Sequence, residues 1–136
     1  MNNKLNPTEF QECLTLVDYV SLLRNQGKVL VYTHPPQETY TDSIKQKSNN
    51  KRLGVTKGLP DYIIVTKSTV LFIEMKRLKG GKVSDEQLKW IEALQGKKTA
   101  AGVCCGFDEA KRMIDGVLKR EAGVNRFNLI KVANVY

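Results

Sequence analysis

Two short apolar runs near the middle of the chain dominate its pattern of hydrophobic and polar positions. Residues 62–65 and 70–73 are rich in β-branched and aromatic side chains, and the polar residues 66–69 separate them. This arrangement predicts a β-hairpin. Because both runs are apolar at every position, we expect helices to cover both faces of the sheet, which is typical of an α/β fold.

The register of this hairpin decides which polar side chains meet at its open end. With a two-residue loop at positions 67–68, Asp61 lies directly opposite Glu74, and their Cβ atoms are about 4.5–5.5 Å apart. Lys76 then projects to the same face, because strand side chains alternate. A three-residue loop would instead pair Asp61 with Met75. The Lys-Ser loop lacks the Asn-Gly or Asp-Gly chemistry that favours two-residue hairpins, so both registers stay open.

Two carboxylates facing each other predict a metal site. At this separation they repel each other unless a cation lies between them. Oxygen ligands suit Mg²⁺, which takes one or two carboxylates and keeps waters and a substrate phosphate in its octahedron. In the two-residue register, Asp61 and Glu74 are therefore candidates for metal-assisted chemistry on a phosphate.

A first helix is predicted to begin at Asn6 as the N-cap, with Pro7 at the first helical position. Beyond it, apolar residues recur with the 3.6-residue period of a helix. Glu9 falls inside this apolar stripe, where an acid needs a partner. Either Glu9 closes a capping box with the Asn6 backbone, or it is a third acid near the metal. Glu12, at the edge of the stripe, is a weaker candidate for that role.

A later helix has clear start and stop signals. Ser84 is placed as its N-cap, Gln87 as the third residue of a capping box, and Gly96 as its end. Gln87 is therefore at least structural, and it also follows closely after the strand that carries Glu74 and Lys76.

The remaining segments are less strongly marked. Residues 37–59 have no periodicity and are predicted to form a long polar loop. His34, just before it, is either a general base or, as we prefer, a residue that caps the loop. Elsewhere we expect a strand at 28–33, a strand at 99–106, a helix at 108–122 closed by Gly123, and a tail at 127–136 that forms an edge strand or a dimer contact.

Charge and length narrow the class of protein. The 136 residues suffice for one domain, 1–136, with a core of its own. Lys and Arg total 22 against 14 Asp and Glu, giving a net charge of +8, which favours polyanionic partners such as nucleic acid. No apolar run reaches membrane-spanning length, and we see no secretory signal, so we expect a cytoplasmic protein. Three cysteines offer neither a disulfide pattern nor a zinc site.

Two basic segments flank the predicted site. Each is either a solvated charge run or a track for DNA phosphates, and we favour the second interpretation because both adjoin the acids. The candidate DNA-binding residues are Lys45, Lys47, Lys51, Arg52 and Lys57 before the hairpin, and Arg77, Lys79 and Lys82 after it.

Taken in order, these motifs resemble the virus-type replication-repair nuclease (VRR-NUC) branch of the PD-(D/E)XK nucleases, in its stand-alone phage or bacterial form. The resemblance implies a restriction-endonuclease-like α/β/α core with a central mixed sheet. It also implies Mg²⁺ or Mn²⁺ dependence and hydrolysis of DNA phosphodiesters. The matching residues are Gly54, Gly58, Pro60, Asp61, Phe72, Ile73, Glu74, Lys76, Ser84, Gln87 and Trp90.

The resemblance also implies roles for individual residues. Asp61 and Glu74 would hold the metal, together with the backbone carbonyl of Met75. Lys76 would orient or activate the attacking water and stabilise developing charge. A glutamate in the family's first helix matches Glu9, which favours a catalytic and metal-binding role for that residue over a cap.

Two further positions match the family less completely. Gln87 would lie at the edge of the catalytic site and position Lys76 or a phosphate. The segment from His34 to Glu38 resembles a His-x-Pro-Asn-Glu pattern of the family, but Gln37 replaces its asparagine, so no role is assigned to Glu38.

Stand-alone members of the family resemble resolvases of four-way DNA junctions, which need two active sites. The sequence therefore predicts a homodimeric Holliday-junction resolvase. Three other interpretations stay open: a nuclease acting on flaps, nicks or other DNA ends, a non-catalytic DNA-binding protein of the same fold, and a small interaction module whose charge is incidental.

Overall fold

Four helices and four strands form the part of the chain that the computed structural model describes, residues 7–35 and 43–135. A single mixed sheet forms its centre. The elements are α1 (Glu9–Asn25), β1 (Val29–Thr33), α2 (Ile44–Arg52), β2 (Tyr62–Thr66), β3 (Val70–Lys76), α3 (Asp85–Ala93), β4 (Thr99–Cys105) and α4 (Phe107–Val135).

The strands lie in the order β1-β2-β3-β4. β2 pairs antiparallel with both β1 and β3, whereas β3 and β4 are parallel. A parallel pair needs a crossover, and α3 supplies it. The predicted α/β class with a mixed central sheet is therefore confirmed.

The hairpin adopts the two-residue register. Tyr62 lies opposite Ile73, and Val65 opposite Val70, so the same register continues to Asp61 opposite Glu74. Because the loop sequence alone does not favour this turn, other contacts have to stabilise it.

Those contacts come from a distant carboxylate. Glu121 of α4 is buried and accepts hydrogen bonds from the Thr66 hydroxyl and from both the backbone N–H (2.9 Å) and the hydroxyl (2.7 Å) of Ser68. Thr66 and Thr69 also pair through their backbones at 2.9 Å. The register that aligns the site is thus held by a residue more than fifty positions away in sequence.

One face of the sheet is covered most completely along β2 and β3. α1 and α4 contact each other and pack on this face, where alternate residues of β2 and β3 point into the core. Each such residue removes apolar area from water, which stabilises the fold by roughly 25 cal/mol per Å². The largest buried side chains of this core include Leu16, Ile64, Leu71, Ile73, Met75 and Ile114.

The second face is covered only in part. α3 lies there, since its Gln87 reaches Glu74, whose side chain points away from the buried Ile73 and Met75. Ile63 and Phe72, on this same face, are only half-buried. Helices lie on both sides of the sheet as expected, but the expectation of full coverage on both faces is wrong for the described residues.

The start of the first helix differs from the prediction. Thr8 is the N-cap, and Gln11 completes a capping box with it. Glu9 is the first helical residue and is exposed, so the alternative in which Glu9 is the third residue of a capping box is wrong. Asn6, the predicted N-cap, lies outside the described residues. Thr8 and Gln11 satisfy the same spacing rule two residues further along the chain.

Two other helices were missed or cut short. The segment predicted as a polar loop contains α2, which begins at the N-cap Ser43 and buries none of its side chains. Without an apolar stripe it left no periodicity to detect. α4 passes through Gly123 and continues to Val135, so the predicted end at Gly123 and the edge-strand alternative for the tail are wrong. The alternative that the tail forms a dimer contact stays a prediction.

α4 spans 29 residues, but length alone does not make a membrane span. Within the described ranges, no helix is both long and apolar enough to cross a bilayer.

Candidate active site

The open end of the β2–β3 hairpin brings the two predicted acids together. The backbone N–H of Asp61 donates to Glu74 Oε2 at 3.1 Å, and the backbone N–H of Met75 donates to Asp61 Oδ2 at 2.9 Å. Each carboxylate therefore binds the backbone of the strand opposite. These bonds continue the hairpin ladder beyond Tyr62 and fix both acids on adjoining strands.

Two further side chains converge on Glu74. Lys76 Nζ lies 3.5 Å from Glu74 Oε1, as expected for residues two positions apart on one strand. Gln87 Nε2 donates to the same oxygen at 2.7 Å. The structure therefore brings together four of the predicted residues.

Glu74 is the buried acid of the pair, with 4% of its surface exposed. Burial raises the pKa of its carboxyl, the nearby Asp61 charge raises it further, and Lys76 partly opposes both, which places the pKa at about 7. The surrounding protein groups therefore do not fully offset the negative charge of ionised Glu74. A divalent cation between the acids would supply the missing charge.

The donor set fits a hard divalent metal ion. Besides the two carboxylates, the backbone carbonyl of Met75 points toward the same site. In a strand, the N–H and C=O of one residue point to the same side, and the Met75 N–H points to Asp61. Two carboxylates and a carbonyl leave room for waters and a phosphate oxygen on Mg²⁺ or Mn²⁺.

The loop that carries Asp61 is fixed by the start of α3. Gly58 has φ +97°, and a Cβ there would lie 2.6 Å from the Glu86 carbonyl carbon and 2.9 Å from the Gln87 nitrogen. Trp90 Nε1 donates to the Lys57 carbonyl at 3.0 Å. Glycine is therefore required both by backbone conformation and by close approach, and α3 positions both acids at once.

Gln87 has two roles. Its side-chain oxygen accepts from the Ser84 N–H at 3.0 Å and completes the predicted capping box. Its nitrogen contacts Glu74. The sequence signal for the cap was clear, and the contact with the acid follows because α3 begins beside the end of β3.

The structure separates the two glutamates of α1. Glu12 Oε2 accepts a hydrogen bond from the Phe107 N–H at 2.9 Å, at the start of α4, so it holds that helix in place. Glu9 is exposed and lines the space next to Lys76 on one side and Asp61 on the other. Of the two, Glu9 is the one that borders the site.

Glu9 does not, however, join the paired acids directly. Within the residues described, no three His, Cys, Asp or Glu side chains are grouped closely enough to hold a metal ion. Its catalytic and metal-binding role stays a prediction.

A basic cleft of about 650 Å³ adjoins the acids. It is formed by the start of α1 and the segment after β3, and it contains Lys76 together with Arg77, Lys79 and Lys82. Among the described residues, the predicted DNA-binding cations that precede the hairpin do not line this cleft. They are Lys57 and the α2 residues Lys45, Lys47, Lys51 and Arg52.

His34 acts as a loop-fixing residue. Its Nδ1–H donates to the Asp61 carbonyl, and its ring packs against Tyr62 with the centroids 4.8 Å apart. The preference for a structural role agrees with this geometry. Glu38, in the same predicted motif, lies outside the described residues.

Comparison with known proteins agrees with this architecture. The sequence matches the family model of the VRR-NUC domain over residues 9–108. A solved structure described as a VRR_NUC domain protein has a TM-score of 0.63 with this chain at 21% identity, covering 84% of this chain and 90% of its own. No curated protein matches the chain.

A mixed sheet between helices, with paired acids and a lysine at the open end of its hairpin, defines a protein of nuclease-type α/β fold. The chain belongs to the VRR-NUC domain family. Family membership indicates a hydrolase that acts on DNA.

Proposed function

We propose that this protein is a metal-dependent endonuclease that hydrolyses phosphodiester bonds in branched DNA, as a homodimeric Holliday-junction resolvase. The observation that carries the proposal is the convergence of Asp61, Glu74, Lys76 and Gln87 at the end of the hairpin. Such an enzyme would act in the cytoplasm of a bacterium or a phage-infected cell.

Asp61, Glu74 and the Met75 carbonyl would hold Mg²⁺ or Mn²⁺. Such an ion polarises the scissile phosphate and lowers the pKa of bound water. The protein's own part is to keep the two carboxylates apart at a fixed spacing, which the reciprocal backbone bonds achieve. Glu9 lies at the border of the site. We assign it a role in binding the metal ion or a water molecule on the exposed side of the site.

Lys76 is the cation of the site. Its ammonium lies 3.5 Å from Glu74 Oε1, so a phosphate placed against the acids has a positive charge beside it. A fixed positive charge stabilises the negative charge that develops in the transition state. It lowers the activation barrier because the protein need not rearrange during the reaction. Gln87, by contrast, positions Glu74 and therefore acts through it.

The basic cleft would hold the DNA backbone. Arg77, Lys79 and Lys82 lie on the same side of the site as Lys76, and contacts of this kind carry no sequence information. We therefore expect recognition of DNA structure rather than base sequence.

The edge of the sheet supports a two-fold assembly. Strand β1 is at one edge of the described sheet, and its Leu30 and Val31 are exposed. Apolar edge strands readily pair with another strand, and a two-fold dimer would supply the second active site that a junction requires.

Cleavage of three synthetic DNAs tests the proposal. A four-way junction, a flap and a plain duplex are each incubated with the protein and Mg²⁺. We expect paired, symmetrical cuts in the junction and little cutting of the duplex. Equal cutting of all three would exclude the resolvase assignment, and salt-sensitive binding without cleavage in Mg²⁺ or Mn²⁺ would indicate a non-catalytic DNA-binding protein.

A further inference from the structure

The first helix carries two apolar stripes, and only one of them reaches the core. Leu16, Val20 and Leu23 are buried. Phe10 and Leu14, one turn apart on another side of the helix, are 71% and 49% exposed. One buried stripe is enough to attach a helix to a sheet, so the second stripe is available to a partner.

This second stripe forms one wall of a hollow of about 330 Å³. The rings of His34 and Tyr62 form the opposite wall, and Asp61 and Glu9 lie at its border. Tyr62 is buried, and its hydroxyl lies near the Cys13 thiol. The hollow is therefore mainly aromatic and apolar, yet Asp61 of the paired acids also lines it.

Glu9 stands between two unlike surfaces. On one side is the basic cleft with Lys76, Lys79 and Lys82, and on the other is this hollow. A DNA strand has the same division, with a charged backbone and apolar base faces. A strand whose phosphate lies at the acids can thus leave its neighbouring phosphates in the cleft and place one base in the hollow.

We propose that the hollow lined by Phe10, Leu14 and His34 binds one unpaired nucleobase next to the scissile phosphate. The proposal rests on the nuclease function proposed above and adds its substrate class: DNA whose bases at the cut are unpaired or easily unstacked. The hollow's volume lies at the lower end of the range for small-molecule sites. Stacking on aromatic rings tolerates any base, because each has a π-face.

The first test combines abasic DNA with a Phe10→Ala variant. An abasic analogue is placed at each nucleotide flanking the mapped cut, and kcat/KM is measured. In the wild type, removing the base at one of these positions should lower kcat/KM about tenfold, the expected loss of one stacking contact. In Phe10→Ala, kcat/KM on intact DNA should already be lower by a similar factor, and the abasic penalty should vanish.

Leu14→Ala and Leu22→Ala form a matched pair for this test. Both leucines lie on α1 and are about half exposed, at 49% and 51%, but only Leu14 lines the hollow. Leu14→Ala should reduce the abasic penalty, whereas Leu22→Ala should leave it at the wild-type value. An abasic penalty of equal size in the wild type and Phe10→Ala, or none in the wild type, would overturn the proposal.

A binding measurement separates this inference from the nuclease function. The junction carries 2-aminopurine at its branch point, and binding is followed in EDTA, where no cleavage occurs. Wild-type protein should raise the fluorescence several-fold as the base leaves its stack, and Phe10→Ala should not. A rise without cleavage in Mg²⁺ would remove the nuclease function and keep the base site. No rise, or a Phe10→Ala protein that changes from dimer to monomer on sedimentation, would remove the base site and assign this face to no ligand or to a second copy.

Discussion

Gln87 donates a hydrogen bond to Glu74 at 2.7 Å while its other side-chain atom caps the helix on which it sits. One side chain thus joins the start of α3 to the buried acid of the site. Helix capping and acid positioning are coupled, and the two contributions can be separated by choosing the replacement.

We predict that Gln87→Glu keeps the helix cap and impairs the site. Glutamate also serves at this position of a capping box, but it places a second carboxylate against Glu74. The added charge should raise the pKa of Glu74 further. If that pKa rises by one, the ionised fraction at pH 7, and with it kcat/KM, should fall by up to about tenfold. The loss should shrink as the pH of the Mg²⁺ assay is raised.

Gln87→Ala is the companion variant. It removes both bonds, so it should lower the free energy of unfolding by about 1 kcal/mol through loss of the cap, as well as activity. If the activity of the two variants simply follows their stability in denaturant unfolding, Gln87 is only a helix cap.

Gly58→Ala should damage the site far more than Gly54→Ala. Both glycines have positive φ, at +97° and +82°, so both substitutions strain the backbone. A Cβ at Gly58 meets the Glu86 backbone at 2.6 Å, whereas the space around Gly54 is open. We expect Gly58→Ala to cost about 2 kcal/mol more than Gly54→Ala, the usual range for forced overpacking.

Because the loop at Gly58 carries Asp61, Gly58→Ala should also lower kcat/KM. Unfolding in urea and cleavage in Mg²⁺ measure the two effects. Similar results for both variants would mean that the approach to α3 is unimportant and that φ alone sets the cost.

The raised pKa of Glu74 predicts a stability that depends on pH and metal. The folded carboxyl holds its proton up to about pH 7, against an ordinary value of 4.5. Unfolding therefore releases a proton between these values, and the free energy of unfolding in EDTA should fall as pH rises through this window. A pKa difference of this size corresponds to about 3 kcal/mol.

Mg²⁺ should oppose this fall, because the metal requires the ionised carboxylate. At pH 6, calorimetry in two buffers of different ionisation enthalpy should show proton release as Mg²⁺ binds. Glu74→Ala should abolish both the pH-dependent loss and the proton release. A flat stability profile for the wild type between pH 4.5 and 7 would contradict the assignment.

The sequence predicted the parts of this site that local rules govern. Asp61 and Glu74 could be placed because strand pairing fixes which side chains are opposite, and Gln87 because capping boxes have fixed spacing. The hairpin register stayed ambiguous, since its stabilising partner, Glu121, lies on another helix. No local pattern identifies such a contact.

The same reason explains what the sequence left undecided. The helical period favoured Glu9 over Glu12 only by position in the apolar stripe, and it gave no sign that Glu12 contacts Phe107, 95 residues further along the chain. Helical period alone also does not say which of two apolar stripes meets the sheet. The exposure of Phe10 and Leu14 could therefore not be predicted from their spacing.

The two basic segments should differ in their contribution to DNA binding. Lys79 and Lys82 line the cleft beside Lys76, so replacing both by alanine should weaken binding and reduce the slope of log affinity against log salt by about 1 to 2. Fluorescence anisotropy at several salt concentrations measures this slope.

Two comparisons complete that experiment. Lys97 and Lys98 are exposed and lie outside the cleft. Replacing both by alanine should leave the slope of log affinity against log salt nearly unchanged. Replacing Lys45 and Lys47 on α2 tests the remaining predicted cations. A slope that changes equally for all three pairs would indicate diffuse attraction to the net charge rather than a defined track.

Removing the carboxylate of Glu121 should destabilise the protein and disturb the distant site. Burial alone would raise the pKa of Glu121, but hydrogen bonds from Thr66 and Ser68 outweigh it, and the pKa is lowered. Stability from this group is therefore present above its ordinary pKa of 4.5 and is lost as pH falls through the lower, folded value. Glu121→Ala should cost about 3 kcal/mol, the upper range for bonds to a charged group.

Glu92→Ala, which removes an exposed carboxylate of α3, is the control and should change stability by less than about 0.5 kcal/mol. Since Glu121 holds the turn that sets the hairpin register, its loss should also lower kcat/KM even in protein that is still folded. Cleavage assayed well below the melting temperature decides this point. Full activity in folded Glu121→Ala would show that pairing of the β2 and β3 strands alone keeps Asp61 opposite Glu74.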